Sequence, residues 1–247
     1  MIVNKRGVFG VCLLAAAGAF AAASFGGGAE AAATKRLKVT VDGLKKRTDL
    51  IPEQYAFCVP AAKDHQTLGK NINPSIKWSA GPEGTKSYAI RVYDSKVPTK
   101  FDDANKEGKT ISKDLKRMDF EHLILVDIPP SVSEIKEGQD SDKLTPKGKP
   151  VGPTDHGVRG ANGYGSFMSG DMAGTYGGYD GPCPPWNDEL MHHYIFTVYA
   201  LDVASLNLKG TFMWNDARAA MKDHVLAKGS ASGNFTLNPA LVPKTSK

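Results

Sequence analysis

The chain has 247 residues, 41% of them hydrophobic, which is enough to bury a core and excludes a disordered chain. Its 31 Lys and Arg against 26 Asp and Glu leave a formal net charge of +5. That surplus is too small and too scattered for nucleic acid to be the main partner.

Residues 1–33 read as a signal peptide. Lys5 and Arg6 make a basic start, Val8 to Ala23 a short apolar run, and Ala29–Ala31 a small-residue cleavage site. Gly10 and Gly18 interrupt the run and no charged stop-transfer flank follows, so removal is expected rather than retention as a transmembrane anchor. Cys12 follows Val11 and sits too early in the run to serve as a lipid-attachment site. Processing leaves one domain over 34–247, periplasmic or secreted.

Period-2 alternation dominates that domain. Leu37, Val39 and Val41 alternate with Lys38 and Thr40, and Tyr88, Ile90 and Val92 alternate with Ala89, Arg91 and Tyr93. The strand at 88–93 is expected to end at Asp94, in a turn closing at Pro98. Leu123–Ile128 and Ile195–Leu201 are nearly continuous in apolar residues, as in strands buried on both faces. Pro- and Gly-rich turns separate the runs, which together describe a mainly β chain, a sandwich. The segment Lys100–Met118 is charged and reads as a surface insertion. Residues 136–181 show no good strand, and the glycine-rich part at 157–181 lacks the Gly-Lys-Ser/Thr ending of a phosphate-binding loop. One helix is expected over NDARAAMKDHVLAKG. Asn215 or Asp216 would cap it, Ala217, Ala220, Met221, His224 and Val225 would share a face, and Gly229 would follow its end. On that face His224 reads as a core histidine.

Little in the sequence points to catalysis. There is no Gly-x-Ser-x-Gly elbow and no His-Glu-x-x-His, so the expectation is a protein that is not an enzyme and needs no metal or other cofactor. After processing two cysteines remain, Cys58 and Cys183, with no Cys-x-x-Cys spacing. In an exported chain two such thiols are expected to pair. The polar residues at strand edges are more informative. Asp94 ends one strand, His122 opens another, and His192 precedes Tyr194 by two, so both project from one face of an extended chain while His193 points away. His65 and His156 lie in polar loops.

The segments NINPSIKWSAGPEGTKSYAIRVYDSKVP, HLILVDIPPSVSEIKEG and YDGPCPPWNDELMHHYIFTVYALD together resemble the phosphatidylethanolamine-binding protein family, in its bacterial Raf-kinase-inhibitor-like branch. The resemblance spans nearly the whole mature chain. It implies an antiparallel β-sandwich with a C-terminal helix and long surface loops, and a small pocket at one end that takes anionic groups such as phosphate or a phospho-headgroup. Carried over by motif, the ligand-binding residues would be Asp94, His122, Gly181, Pro182, Pro184, His192 and Tyr194, with Cys58 and Cys183 near the same end. The prolines fix φ, so such a wall is held before ligand arrives and little ordering entropy remains to be lost. Protonated imidazoles beside Asp94, and the Tyr194 hydroxyl, would hold phosphate oxygens.

The chain departs from the family at Asp94-Ser-Lys-Val-Pro98, where a second acidic residue is usual, and in loops longer than expected at 100–118 and 136–178. Three functions fit: a small-anion binding protein that modulates another protein, an inhibitor of a hydrolase or kinase acting through pocket and loops, and a hydrolase with His122 or His192 as base. An exported chain does not meet cytosolic kinases, so kinase inhibition is not carried over.

Overall fold

The computed structural model describes residues 35–243. The signal-peptide reading, its cleavage site and Cys12 lie outside the described residues. No helix among the described residues is long and apolar enough to cross a membrane.

In chain order the strands begin with β1 (Lys35–Arg36), β2 (Val39–Val41), β3 (Cys58–Pro60), β4 (Gln66–Leu68) and β5 (Ile76–Trp78). Two long strands follow, β6 (Ser87–Pro98) and β7 (Arg117–Ile128), then the short β8 (Glu134–Ile135), β9 (Gly152–Thr154) and β10 (Gly157–Arg159). The chain closes with β11 (His192–Leu201), the helix α1 (Trp214–Ala220) and β12 (Val225–Phe235). One seven-stranded sheet has the order β1-β12-β11-β6-β7-β10-β9; a three-stranded sheet runs β2-β5-β8, and β3-β4 form a hairpin pair. Apart from the parallel contact of β1 with β12, the strand pairs are antiparallel.

The unbroken apolar run of β7 has a direct cause. Leu123, Leu125 and Ile128 face one core, shared with Ile76, Trp78 and Ile135 of the small sheet. Ile124 and Val126 face the other, under Trp214, Ala217 and Met221 of the helical segment. Both faces are dry, so alternation disappears. Each such side chain contributes roughly 1.5–3 kcal/mol by leaving water.

Four expectations are corrected. The strand at Asp94 does not stop there: β6 runs to Pro98, with its register against β7 shifted between Asp94 and Val97. The segment 136–181 holds β9 and β10, too short for their alternation to be read. The helix stops at Ala220, well before Gly229. Its N-cap is Met213, whose N–H donates to Asp216 Oδ2 at 2.9 Å, so Asp216 closes the first turn from inside. Asp223 takes a left-handed conformation at φ 67°, and the chain leaves as β12. Ten consecutive cross-strand partners on β11 outweigh helical propensity over Val225–Phe235. Gly229 is a packing residue: a Cβ there would stand 2.0 Å from the Leu37 carbonyl oxygen. His224 is not a core histidine. It is half exposed and pairs with Asp202 through Nδ1 at 2.8 Å.

Candidate functional site

At one end of the large sheet, three adjacent strands bring the polar residues together. Tyr194 of β11 lies directly opposite Asp94 of β6, and His122 stands on β7 beside them. The two-residue spacing puts His192 on the same face as Tyr194. Asp94, His122, His192 and Tyr194 are all buried and all border a cavity of about 260 Å³.

His192 holds the centre of an ion chain. Its Nδ1 meets Asp94 Oδ2 at 2.5 Å and its Nε2 meets Asp188 Oδ2 at 3.1 Å, and Arg117 donates to both Asp188 oxygens, at 2.5 Å to Oδ2 and 2.9 Å to Oδ1. With a carboxylate on each ring nitrogen, both nitrogens donate and the ring is an imidazolium. Burial alone would push its pKa down; the charge of Asp94, the hydrogen bonds to both carboxylates and the charge of Asp188 lift it to about 9. The chain Asp94–His192–Asp188–Arg117 alternates in sign and sums to zero, so Asp94 presents no uncompensated negative charge to the cavity. His192 borders the cavity with no N–H left for a ligand.

His122 is the opposite case. Burial pushes its pKa below the ordinary value despite the nearby Asp94 carboxylate. Its Nδ1 lies 2.6 Å from the Asp180 carbonyl oxygen, which accepts only, so Nδ1 carries the proton. Nε2 makes no hydrogen bond among the described residues and is the ring atom left for a ligand. Burial, and then the Asp94 charge, hold the Tyr194 hydroxyl protonated, with its pKa well above the usual tyrosine value.

The proline-rich segment forms one wall, though not residue for residue as expected. Cys183, Pro184 and Pro185 border the cavity, whereas Gly181 and Pro182 stand behind it. The Pro182 carbonyl accepts from Phe57 N–H at 2.9 Å and Cys58 N–H at 3.0 Å, and the Gly181 carbonyl accepts from the Tyr164 hydroxyl. A Cβ on Gly181 would lie 1.9 Å from the Tyr55 carbonyl oxygen, so this position requires glycine. The Cys58–Cys183 disulfide is present and ties the same wall to β3.

Behind the wall Asp180 is fully buried, accepting from Lys149 Nζ at 2.9 Å and from Asn71 and Asn162 side-chain amides at 2.8 Å each. Its carbonyl orients His122 and its backbone N–H donates to the His122 carbonyl at 3.0 Å, so the cluster sets the imidazole indirectly. Asp188, Arg117, Lys149 and Asp180 were not singled out in the sequence. Apart from His192, four residues from Asp188, and Asn162, eighteen from Asp180, the partners named here lie 31–109 residues away along the chain, beyond the reach of any local pattern. Asp180 and Asp188 do flank the proline motif, and that proximity was the available signal.

The upper walls come from the two long insertions. Phe101 and Ala104 belong to the 100–118 stretch, and Tyr164, Phe167 and Met168 to the glycine-rich one. Phe101 and Phe120 both meet Phe167 edge-on, at 4.9 and 5.3 Å between centroids. His156, read from sequence as a loop residue, is buried elsewhere: Nε2 bonds Asp140 at 2.9 Å and Nδ1 bonds Asp155 at 2.5 Å. Among the described residues no group of His, Cys, Asp or Glu is arranged to hold a metal ion.

A two-sheet β protein with a polar-floored, aromatic-walled pocket at the end of its larger sheet defines a class, and comparison identifies it. The family profile described as phosphatidylethanolamine-binding protein matches residues 45–236. A UPF0098 protein of Pyrococcus horikoshii is 30% identical over 210 residues, covering 85% of this chain and 80% of its own. YbcL of Escherichia coli, described as a member of the mammalian PEBP family, superposes with a TM-score of 0.56 at 23% identity, over 82% of this chain and 99% of that one. A Chlamydia trachomatis homologue of the same family gives 0.55 at 23% identity, over 81% and 97%. The chain belongs to the phosphatidylethanolamine-binding protein family.

Proposed function

We propose that this chain is an exported binding protein that takes a small anion, such as phosphate or a phospho-headgroup, into the end pocket without turning it over, and so modulates another protein. One observation carries the reading: Asp94, the carboxylate on the pocket floor, is already neutralised by the buried His192 imidazolium, which leaves His122 Nε2 to meet an anion, with the Tyr194 hydroxyl on the same cavity wall beside Asp94. The ligand-binding imidazole is therefore His122; His192 acts by cancelling charge. The disulfide and the leader-like first 33 residues support export to the periplasm or beyond.

The pH dependence follows from His122. In the free protein its pKa lies below 6.5, and a bound anion favours the protonated ring, which then donates from Nε2. Binding takes up a proton, so affinity falls as pH rises from the acid side through neutrality. NMR titration with phosphate and with phosphoethanolamine at pH 5.5 and 7.5 tests this. The expected result is a His122 ring shift that is larger at pH 5.5, with at least tenfold weaker binding in His122→Gln and a smaller loss in Tyr194→Phe. Shifts that spare His122, or equal affinities in wild type and His122→Gln, would overturn the pocket assignment.

A further inference from the structure

On the face of β6 and β11 opposite the pocket runs a second concavity, a groove of about 970 Å³. Ser95 and His193, each one residue along from Asp94 or His192 and so facing the other way, line it, with Lys96 beside them where the register of β6 shifts. Five exposed cations border it: Arg36, Lys45, Lys46, Arg47 and Lys96. None of the five is in an ion pair among the described residues, and Asp42 is the one carboxylate on the lining. Five cations against one carboxylate give the groove a local positive surplus.

One wall of the groove is β2, an edge of the three-stranded sheet. The bonds Ser79 N–H to the Lys38 carbonyl and Asp42 N–H to the Ser75 carbonyl show that residues 38, 40 and 42 turn their polar groups toward β5. In an antiparallel ladder the intervening residues turn theirs the other way. Val39 N–H and C=O and Val41 N–H therefore point away from β5 along the groove, while the Val41 carbonyl accepts from Leu44 N–H at 3.0 Å. A groove combining a strand edge unpaired among the described residues with five cations fits an extended polypeptide carrying acidic side chains. We propose that this groove binds an acidic peptide segment of a protein partner by adding it to the edge of β2.

The shape and lining favour a peptide over a membrane. The cations sit around a hollow that a flat bilayer does not fill, and none of the exposed large apolar side chains lines the groove to insert into lipid. A free polyanion satisfies the cations and leaves the strand edge unused.

The test is fluorescence anisotropy of the full chain with a labelled eight-residue peptide alternating Glu with Val or Thr. The peptide should bind, more weakly as salt is raised. Lys45→Glu combined with Lys46→Glu should weaken it at least tenfold, and Lys96→Glu, on a separate strand, should weaken it independently. The same peptide N-methylated at alternate backbone nitrogens keeps its charge but cannot pair with an edge, and should lose at least tenfold. Equal binding of the N-methylated peptide would overturn edge addition. Indifference to both charge reversals would overturn the groove itself. Polyphosphate, or phosphatidylglycerol vesicles, retaining the chain while the peptide does not would assign the cations to another partner.

Discussion

Replacing His192 with Asn isolates the ion chain beneath the pocket. Asn donates as a neutral imidazole does and carries no charge, so the substitution removes the imidazolium while retaining a donor. The folded protein holds His192 at about 9 against 6.5 for the free side chain, a difference corresponding to about 3 kcal/mol of stability. The sign is that of a raised histidine: the contribution is complete below about pH 6.5 and disappears as pH rises through 9. At pH 6.5 the variant should be less stable than wild type by at least about 3 kcal/mol, because Asp94 and Asp188 are then buried without their shared cation. By pH 9.5 the gap should shrink by about 3 kcal/mol, leaving only what the smaller buried side chain costs in packing and hydrogen bonding. Urea unfolding of both proteins at half-unit pH steps, with the disulfide intact, measures the gap, and subtraction cancels the titrating groups that do not touch His192, His156 included. A gap that is the same at pH 6.5 and 9.5 would refute the assignment of His192 as an imidazolium between two carboxylates.

Reduction of Cys58–Cys183, which are 125 residues apart, should lower the unfolding free energy by about 5 kcal/mol on the chain-entropy estimate, read by urea melts with and without reductant. Gly181→Ala places a methyl against the Tyr55 carbonyl and should cost about 1–3 kcal/mol, while weakening phosphate binding because the adjoining Cys183–Pro185 wall moves; binding equal to wild type would uncouple the two. His156→Ala should destabilise by about 1–3 kcal/mol and leave phosphate binding unchanged. The hydrogen bond to Asp140 outweighs burial and raises the His156 pKa, so that loss should be larger at pH 6 than at pH 9 in thermal melts.

The convergence of Asp94, His122, His192 and Tyr194 was legible through the family resemblance of the segments that carry them; strand pattern alone left each an ordinary polar residue, and Asp94 and His122 in fact lie within β6 and β7 rather than at their ends. Their division of labour was not. His122 and His192 are both buried histidines bordering one cavity, yet one is neutral with an open nitrogen and the other charged with none. The difference lies in Asp188 and Arg117 on one side and the Asp180 carbonyl on the other. The Gly181–Pro185 motif was legible as a stiff wall; which of its residues touch the cavity depended on Tyr55 and Phe57, more than a hundred residues earlier.

By itself the sequence determined the mainly β class, the strands at 88–93, 123–128 and 195–201, and the pairing of two cysteines, because period and composition are local properties. Only the tertiary structure decided that the chain after Asp223 is a strand, since its helical period competes with a full ladder on β11 and long-range pairing wins. It alone also decided the proton on each imidazole. Protonation is set by which carboxylates and carbonyls surround a buried ring, and those arrive from distant parts of the chain only when the sheet has formed.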